Sequence, residues 1–386
     1  MSEKRIKVMS VFGTRPEAIK MAPLIKELDK YYDRVKNIVC ITAQHREMLD
    51  QVLRLFDIKP DYDLNIMHDK QTLADITVRA LRGLYDVYER AEPDIVLVHG
   101  DTTTTFAASL AAFYKHISVG HVEAGLRTHD KYFPFPEEMN RRLTGAIADV
   151  HFAPTFSAKE NLLKENIAPN DIFVTGNTVI DALRTTVKDD YEFYTPELKG
   201  LDFSGKRIIL VTAHRRENLG APLKSICEAL VRLAQKYDDI LIIYPVHMNP
   251  AVRDTVFAIL GGVNRVVLLK PLDTQEMHNL MARSYMVLTD SGGLQEEAPS
   301  LGKPVLVLRD VTERPEAVEA GTVKIVGTDA DRIFEHACRL LDDPDEYKRM
   351  ANAVNPYGDG KASSRIAEAI LYKFGYGDRP EDLTKS

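Results

Sequence analysis

Several short segments place acids, bases or cations where a strand-to-helix turn would present them. In Gly13-Thr14-Arg15-Pro16-Glu17-Ala18-Ile19-Lys20, Gly13 permits a tight turn and Pro16 suits a first helical turn, where its missing N–H costs nothing. Arg15 at that turn and Lys20 about one helical turn on suit a phosphate-bearing ligand; a plain capped turn with solvated charges fits the spacing equally well. In His99-Gly100-Asp101-Thr102 and Gly120-His121-Val122-Glu123, two acids close neighbouring apolar runs. Asp101 has helix capping as its plainer role. Glu123 directly follows a buried-looking strand, where an unpaired carboxylate is costly. Glu137 and Glu138 open a further helical pattern, where either would complement the helix dipole. Acids converging on one cleft would make a proton-transfer constellation.

The second half repeats the arrangement with other chemistry. His214-Arg215-Arg216 ends an apolar run; a lone histidine is usually structural, but beside two arginines at a strand end it is a better phosphate-contact candidate than most. Ser291-Gly292-Gly293 follows another run and offers exposed N–H groups at a helix start, as a diphosphate requires, with a plain Ser-capped Gly turn as the other reading. Glu297, about one turn further, is placed to accept from a ribose diol, and Arg314 adds a cation after the next strand. The sequence contains neither G-x-x-x-x-G-K-[ST] nor H-E-x-x-H nor G-x-S-x-G, so the familiar phosphate-loop, zinc-hydrolase and serine-hydrolase signatures are missing and no metal site is expected.

These turns need strands to carry them. Short β-branched runs at 6–12, 37–42, 95–99, 118–122, 151–153 and 172–175, then at 207–212, 240–244, 266–269, 286–289, 305–308 and 323–326, alternate with segments of helical spacing. Such alternation predicts α/β architecture: parallel sheets covered by helices on both faces. It breaks at the polar stretch 189–206, so a domain junction is expected around 176–205. We place an N-terminal α/β domain over 1–176, joined by a C-terminal helix in 366–386, and a C-terminal α/β domain over 177–365. Each carries a doubly wound, Rossmann-like sheet, and ligands of such sheets bind beyond the strand carboxyl ends, here in an interdomain cleft.

Bulk properties narrow the function class. The 386 residues are 45% hydrophobic and 28% charged, material for two ordinary cores. A net charge of −7 gives no nucleic-acid footprint as a whole, though one anionic ligand can still have a local basic pocket. Cys40, Cys227 and Cys338 are widely spaced, as neither a disulfide framework nor a zinc site would be. With no signal-peptide pattern and no apolar run of about 18 residues, a cytoplasmic protein without a membrane association is expected. The residues alone thus reach a two-domain enzyme holding a phosphorylated or nucleotide ligand beside several acids.

Taken in order, FGTRPEAIKMAPL, TAQHREMLDQ, VHGDTTTT, GHVEAGLRT, FPEEMNRRLTG, TAHRREN, YPVHMNP, LTDSGGLQEEAPSLGKPVLVLRD, TERPEAVEAGT and NPYGDGKAS resemble the non-hydrolysing UDP-N-acetylglucosamine 2-epimerase family of bacterial type. The resemblance runs from Phe12 to Ser363. It implies a glycosyltransferase-B-type architecture, a homodimer, no cofactor, and interconversion of UDP-GlcNAc and UDP-ManNAc through elimination and re-addition of UDP. It further implies Asp101, Glu123 and Glu137 as acid/base carboxylates with His214 as a catalytic or diphosphate-contacting histidine. Arg15, Lys20, Ser291, Gly292, Gly293, Glu297 and Arg314 then match nucleotide and diphosphate contacts. Gln44, Glu47, Lys70, Gln71, Arg215 and His247 match a site for UDP-GlcNAc as allosteric activator. Glu47 stands where the family often has glutamine, and Lys70 where it often has arginine, which forfeits bidentate geometry. Met277 replaces a frequent aromatic near the uracil, a surface a flexible thioether also covers. A glycosyltransferase of the same architecture, the hydrolysing epimerase branch and a nucleotide-sugar sensor are the competing readings.

Overall fold

The computed structural model describes residues 5–44, 46–68 and 70–384. Its strands are β1 (Ile6–Phe12), β2 (Val35–Ile41), β3 (Tyr62–Asp63), β4 (Ile95–His99), β5 (Ser118–Val122), β6 (Val150–Ala153) and β7 (Ile172–Val174). The second set is β8 (Arg207–Thr212), β9 (Ile240–Pro245), β10 (Val266–Leu269), β11 (Met286–Thr289), β12 (Val305–Val307) and β13 (Val323–Ile325). They form two sheets, in the orders β3-β2-β1-β4-β5-β6-β7 and β10-β9-β8-β11-β12-β13. Every pairing between these strands is parallel.

Period-two alternation explains why the first sheet is covered on both faces. Val8 and Phe12 of β1 join Val39 and Ile41 of β2 on one side, under Leu24 and Leu28 of the helix Arg15–Asp29 and Ile366 and Ile370 of the helix Ala362–Lys373. Met9 and Val11 join Ile38 and Cys40 on the other, under the helices Leu73–Ala91 and Thr103–Tyr114. In the second sheet, Ile209, Val211, Ile242 and Tyr244 pack beneath the helices Ala221–Lys236, Pro250–Leu260 and Ala330–Asp342.

The chain divides into two compact units, one running to Arg184 and resuming at Tyr357, the other spanning Thr185 to Pro356. Within the first, the returning segment is tied to β7. Leu383 N–H donates to Val174 O at 2.7 Å, and Asn177 N–H to Tyr357 O at 2.7 Å. A Cβ on Gly176, at φ 86°, would stand 3.2 Å from the Gly358 Cα, so glycine permits that close approach.

In each sheet the strand order reverses next to its first strand, between β1 and β4 and between β8 and β11. That switch is where a doubly wound sheet opens a crevice at its carboxyl ends. Gly13, Asp101, His214 and Ser291 all follow those strands within two residues.

Candidate active site

In the first unit, Glu123 is held in a cluster of its own. It follows β5 with φ 63°, a left-handed conformation uncommon for a residue with a Cβ and characteristic of strained functional positions. Its Oε2 accepts from Asn177 Nδ2 at 2.9 Å and pairs with Lys20 Nζ. His99 Nε2, buried, lies 3.7 Å from the same oxygen. Burial pushes the His99 imidazole down to about 4 despite the opposing pull of Glu123, so the ring is neutral. Lys20, expected at a phosphate, is thus placed against a carboxylate.

Asp101 is not a helix cap: Thr102 caps the helix Thr103–Tyr114, accepting from Thr105 N–H. Asp101 Oδ2 instead receives Arg141 Nε at 2.9 Å and Nη2 at 2.7 Å, and Asn140 Nδ2 reaches the Asp101 carbonyl at 2.8 Å. Arg141 lies one turn along the helix Glu137–Ile147 from Glu137, on the same face. Glu137 is half-buried at the first turn, whereas Glu138 is buried completely. Glu138 accepts the N–H groups of Thr128 at 3.0 Å and His129 at 3.2 Å, with Arg142 Nε at 3.2 Å. Burial opposes its charge, but Thr128 N–H and the arginines outweigh it and hold its carboxyl below the usual range. Glu138 is therefore the structural acid of the pair. Arg127, in the same stretch as Glu123, is also structural, gripping Glu165 at 2.7 and 2.6 Å.

Glu17 ties two of these turns together. One oxygen accepts Gly13 N–H at 3.1 Å and Thr14 N–H at 2.8 Å; the other accepts Thr102 Oγ1 at 2.7 Å and Thr105 Oγ1 at 3.2 Å. Burial drives its carboxyl upward, against all these donors. A Cβ on Gly13 would meet Thr42 Oγ1 at 2.1 Å and Thr104 Oγ1 at 2.6 Å, so no larger residue fits this turn. Arg15 opens the helix that begins there. Nearby, Gln44 accepts from Thr104 Oγ1 at 3.2 Å, and its carbonyl accepts from Gln71 Nε2 at 3.4 Å; Glu47 and Lys70 are exposed.

In the second unit, His214 stacks on His247 with ring centres 5.0 Å apart and planes 5° apart. The buried Asp290 accepts the N–H groups of His214 and Arg215, both at 2.8 Å. Burial lowers the His214 pKa, Asp290 raises it, and His247 and Arg215 lower it. Ser291 precedes the helix Gly292–Ser300, so Gly292 and Gly293 form its first turn with free-standing N–H groups. Arg314 reaches this turn: its guanidinium carbon would lie 3.9 Å from a Cβ on Gly292, and it pairs with the buried Glu296. Glu297 Oε2 lies 3.4 Å from His278 Nε2. N–H groups at a helix start with an arginine beside them are chemically able to take an anion such as a diphosphate. Among the described residues, no group of three or more His, Cys, Asp or Glu side chains is arranged for a metal ion.

Sequence reasoning passed over Asn177, Glu17, Asp290 and Glu296. Asn177 and Asp290 were detectable as polar residues just beyond strand ends; Glu17 and Glu296 sit inside helices, where spacing reads them as surface charge.

The family model described as UDP-N-acetylglucosamine 2-epimerase matches residues 26–371. The UDP-N-acetylglucosamine 2-epimerase of Bacillus subtilis is 60% identical over 382 residues, covering 99% of this chain and 99% of the relative. That of Escherichia coli K12 is 56% identical over 380 residues, covering 95% and 98%. The crystal structure of the UDP-GlcNAc 2-epimerase from Neisseria meningitidis bound to UDP-GlcNAc is similar with a TM-score of 0.83 at 52% identity, covering 95% of this chain and 100% of that one.

Proposed function

The chain belongs to the UDP-N-acetylglucosamine 2-epimerase family, and from that premise we propose that it interconverts UDP-GlcNAc and UDP-ManNAc by eliminating and re-adding UDP. The observation that carries the chemistry is the Lys20–Glu123–Asn177 cluster, a carboxylate fixed just past the end of β5, with Asp101 two residues past the neighbouring β4.

The C2 hydrogen of the sugar is not α to a carbonyl, so a base alone removes it poorly. As the C1–O bond to the diphosphate stretches, positive charge builds at C1 and acidifies C2–H. A carboxylate takes that proton, the C2–H electrons form the C1=C2 bond, and the C1–O pair leaves on UDP. The product pair is UDP and 2-acetamidoglucal. UDP then returns to C1 while a proton reaches C2 from the opposite face, inverting it. Asp101, Glu123 and Glu137 are the acid/base candidates, and a positioned base is worth about 10²–10⁴-fold. His214, Ser291, Gly292, Gly293 and Arg314 would hold the diphosphate, with Arg15 a further cationic contact. Each well-aimed donor contributes on the order of 10²–10³. Lys20, carried to the diphosphate by the family resemblance, serves the base instead when paired as observed. Glu297 would take the ribose diol.

Gln44, Glu47, Lys70, Gln71, Arg215 and His247 form the proposed activator site for UDP-GlcNAc. The enzyme would act in the cytoplasm as a homodimer and supply ManNAc units for cell-surface polysaccharides. No described helix is long and apolar enough to cross a membrane.

A proton NMR time course with UDP-GlcNAc in D₂O tests the proposal. Formation of UDP-ManNAc with deuterium at C2 and little free sugar is expected. Steady release of free ManNAc indicates the hydrolysing branch, acceptor-dependent UDP release a transferase, and no change with activator present a sensor.

A further inference from the structure

The side chain of Asp290 has two oxygens in unlike situations. Oδ2 accepts His214 N–H and Arg215 N–H at 2.8 Å and Asn218 Nδ2 at 3.0 Å. Asn218 is itself anchored, its Nδ2 also donating to Leu308 O at 3.0 Å. This network fixes the carboxylate. Oδ1 is fully buried and has no hydrogen-bond partner among the described residues. His214 Nδ1 lies 3.7 Å from it. A buried carboxylate oxygen left unbonded is costly, and a small rotation of the imidazole would relieve it.

The His214 side chain is 41% exposed and meets its neighbours on one side. The His247 ring covers one face at 5.0 Å, parallel within 5°, so His214 turns within its own plane. His247 is itself held in place, its Nδ1 accepting Asn249 N–H at 3.1 Å. Arg215, next in the chain, lowers the proton affinity of His214; Asp290 is the group that raises it.

We infer that Asp290 is the positioning residue of His214: its Oδ1 takes the imidazole Nδ1–H and leaves Nε2 to meet the diphosphate. The inference rests on reading His214 as the diphosphate-contacting histidine. In the free protein the ring is neutral with its proton on Nδ1. When a diphosphate oxygen approaches Nε2, the ring takes up one proton from solvent. The imidazolium then lies between two anions, donating through Nδ1 to Asp290 and through Nε2 to the phosphate. Departing UDP gains its counter-charge only as it needs it, and the same proton returns to solvent when UDP re-adds or leaves.

Asp290→Asn separates this role from a merely structural one. The asparagine oxygen keeps the three N–H donors, while its amide points a donor at His214 Nδ1 and forces the proton onto Nε2. Long-range proton–nitrogen correlation on protein with labelled histidine reads the tautomer, the His214 signal being the one missing from His214→Gln. We expect an Nδ1–H imidazole in the wild type, an Nε2–H imidazole in Asp290→Asn, and both nitrogens protonated at pH 7.5 on adding UDP to the wild type only. Turnover in Asp290→Asn should fall about 10- to 100-fold with KM changed less than about 3-fold. His214→Gln should cost no more in the Asp290→Asn background than Asp290→Asn does alone. A wild-type His214 protonated on Nε2, or the same tautomer in both proteins, overturns the inference, as does unchanged turnover. The wild-type spectrum decides the tautomer even where the variant does not fold. Loss of epimerisation by the wild type itself would instead strike the proposed function.

Discussion

The Asn177 amide donates to Glu123 Oε2 at 2.9 Å, although 54 residues of chain separate them. Asn177 is in turn held by its own backbone, bonded to Tyr357 O at 2.7 Å. The returning C-terminal segment therefore helps set where the oxygen that also pairs with Lys20 lies. Asn177→Ala should lower kcat by about 10- to 100-fold, since a base loses catalysis steeply when it is displaced. Asn177→Asp should be worse, because it sets a second carboxylate where the first needs a donor. Steady-state kinetics beside thermal melts check both; equal kcat in Ala and wild-type enzymes would remove Asn177 from the site.

Among the acids, Glu123→Gln and Asp101→Asn should each lower turnover by about 10²-fold or more while the melting temperature stays within a few degrees. Glu138→Gln should behave in the opposite sense. Its carboxylate is spent on Thr128, His129 and Arg142. Removing that charge should cost stability, about 1–3 kcal/mol by urea unfolding. Turnover per folded molecule should change less than in Glu123→Gln. Near-normal turnover in the Glu123 and Asp101 variants would refute the assignment.

Fold class was legible because strand and helix periods differ so plainly. The runs at 6–12, 95–99, 118–122, 207–212, 266–269 and 286–289 coincide with observed strands. β3 (Tyr62–Asp63) escaped notice because two residues carry no period. The polar stretch 189–206 reads as irregular, yet it holds a short helix, Pro196–Lys199, whose entrance Glu276 fixes by accepting Tyr194 and Thr195 N–H. That partner is 81 residues away along the chain, beyond any local pattern. The site was legible wherever an unusual residue ended a strand, as at Asp101, Glu123 and His214. Which of two adjacent acids is structural was not, since Glu137 and Glu138 differ only in the direction they face. The role of Lys20 was likewise hidden, because spacing places its Cα but not the carboxylate it meets.

Arg314 should carry much of the affinity for UDP. It stands at the first turn of the helix Gly292–Ser300 and is steadied by the buried Glu296. Arg314→Ala should weaken UDP binding by about 10- to 100-fold, the scale of a charge-assisted pair. Arg314→Lys should recover only part of it, since lysine lacks the planar fork that grips carboxylate and phosphate together. Isothermal titration with UDP gives the answer; full recovery by lysine would show that charge alone matters.

Acid should unfold the first unit through its histidines. His121 and His151 stand opposite each other on β5 and β6, both buried. Burial, the largest cause for each, lowers His121 to about 3, against its bond to Gly100 O, and His151 to about 4. An unfolded histidine takes its proton near 6.5, whereas these refuse it until far lower pH. Between those values the unfolded chain binds more protons, so stability is complete above about 6.5 and is lost as pH falls toward 3–4. At pH 5 each histidine should cost about 2 kcal/mol relative to pH 7.5. Urea midpoints at the two pH values measure the sum over these two and His99, which burial lowers to about 4, and His151→Gln, which cannot titrate, should flatten the dependence by about a third of it. An unchanged slope in that variant would mean that His151 already exchanges its proton in the folded chain, against its burial between β6 and its neighbours.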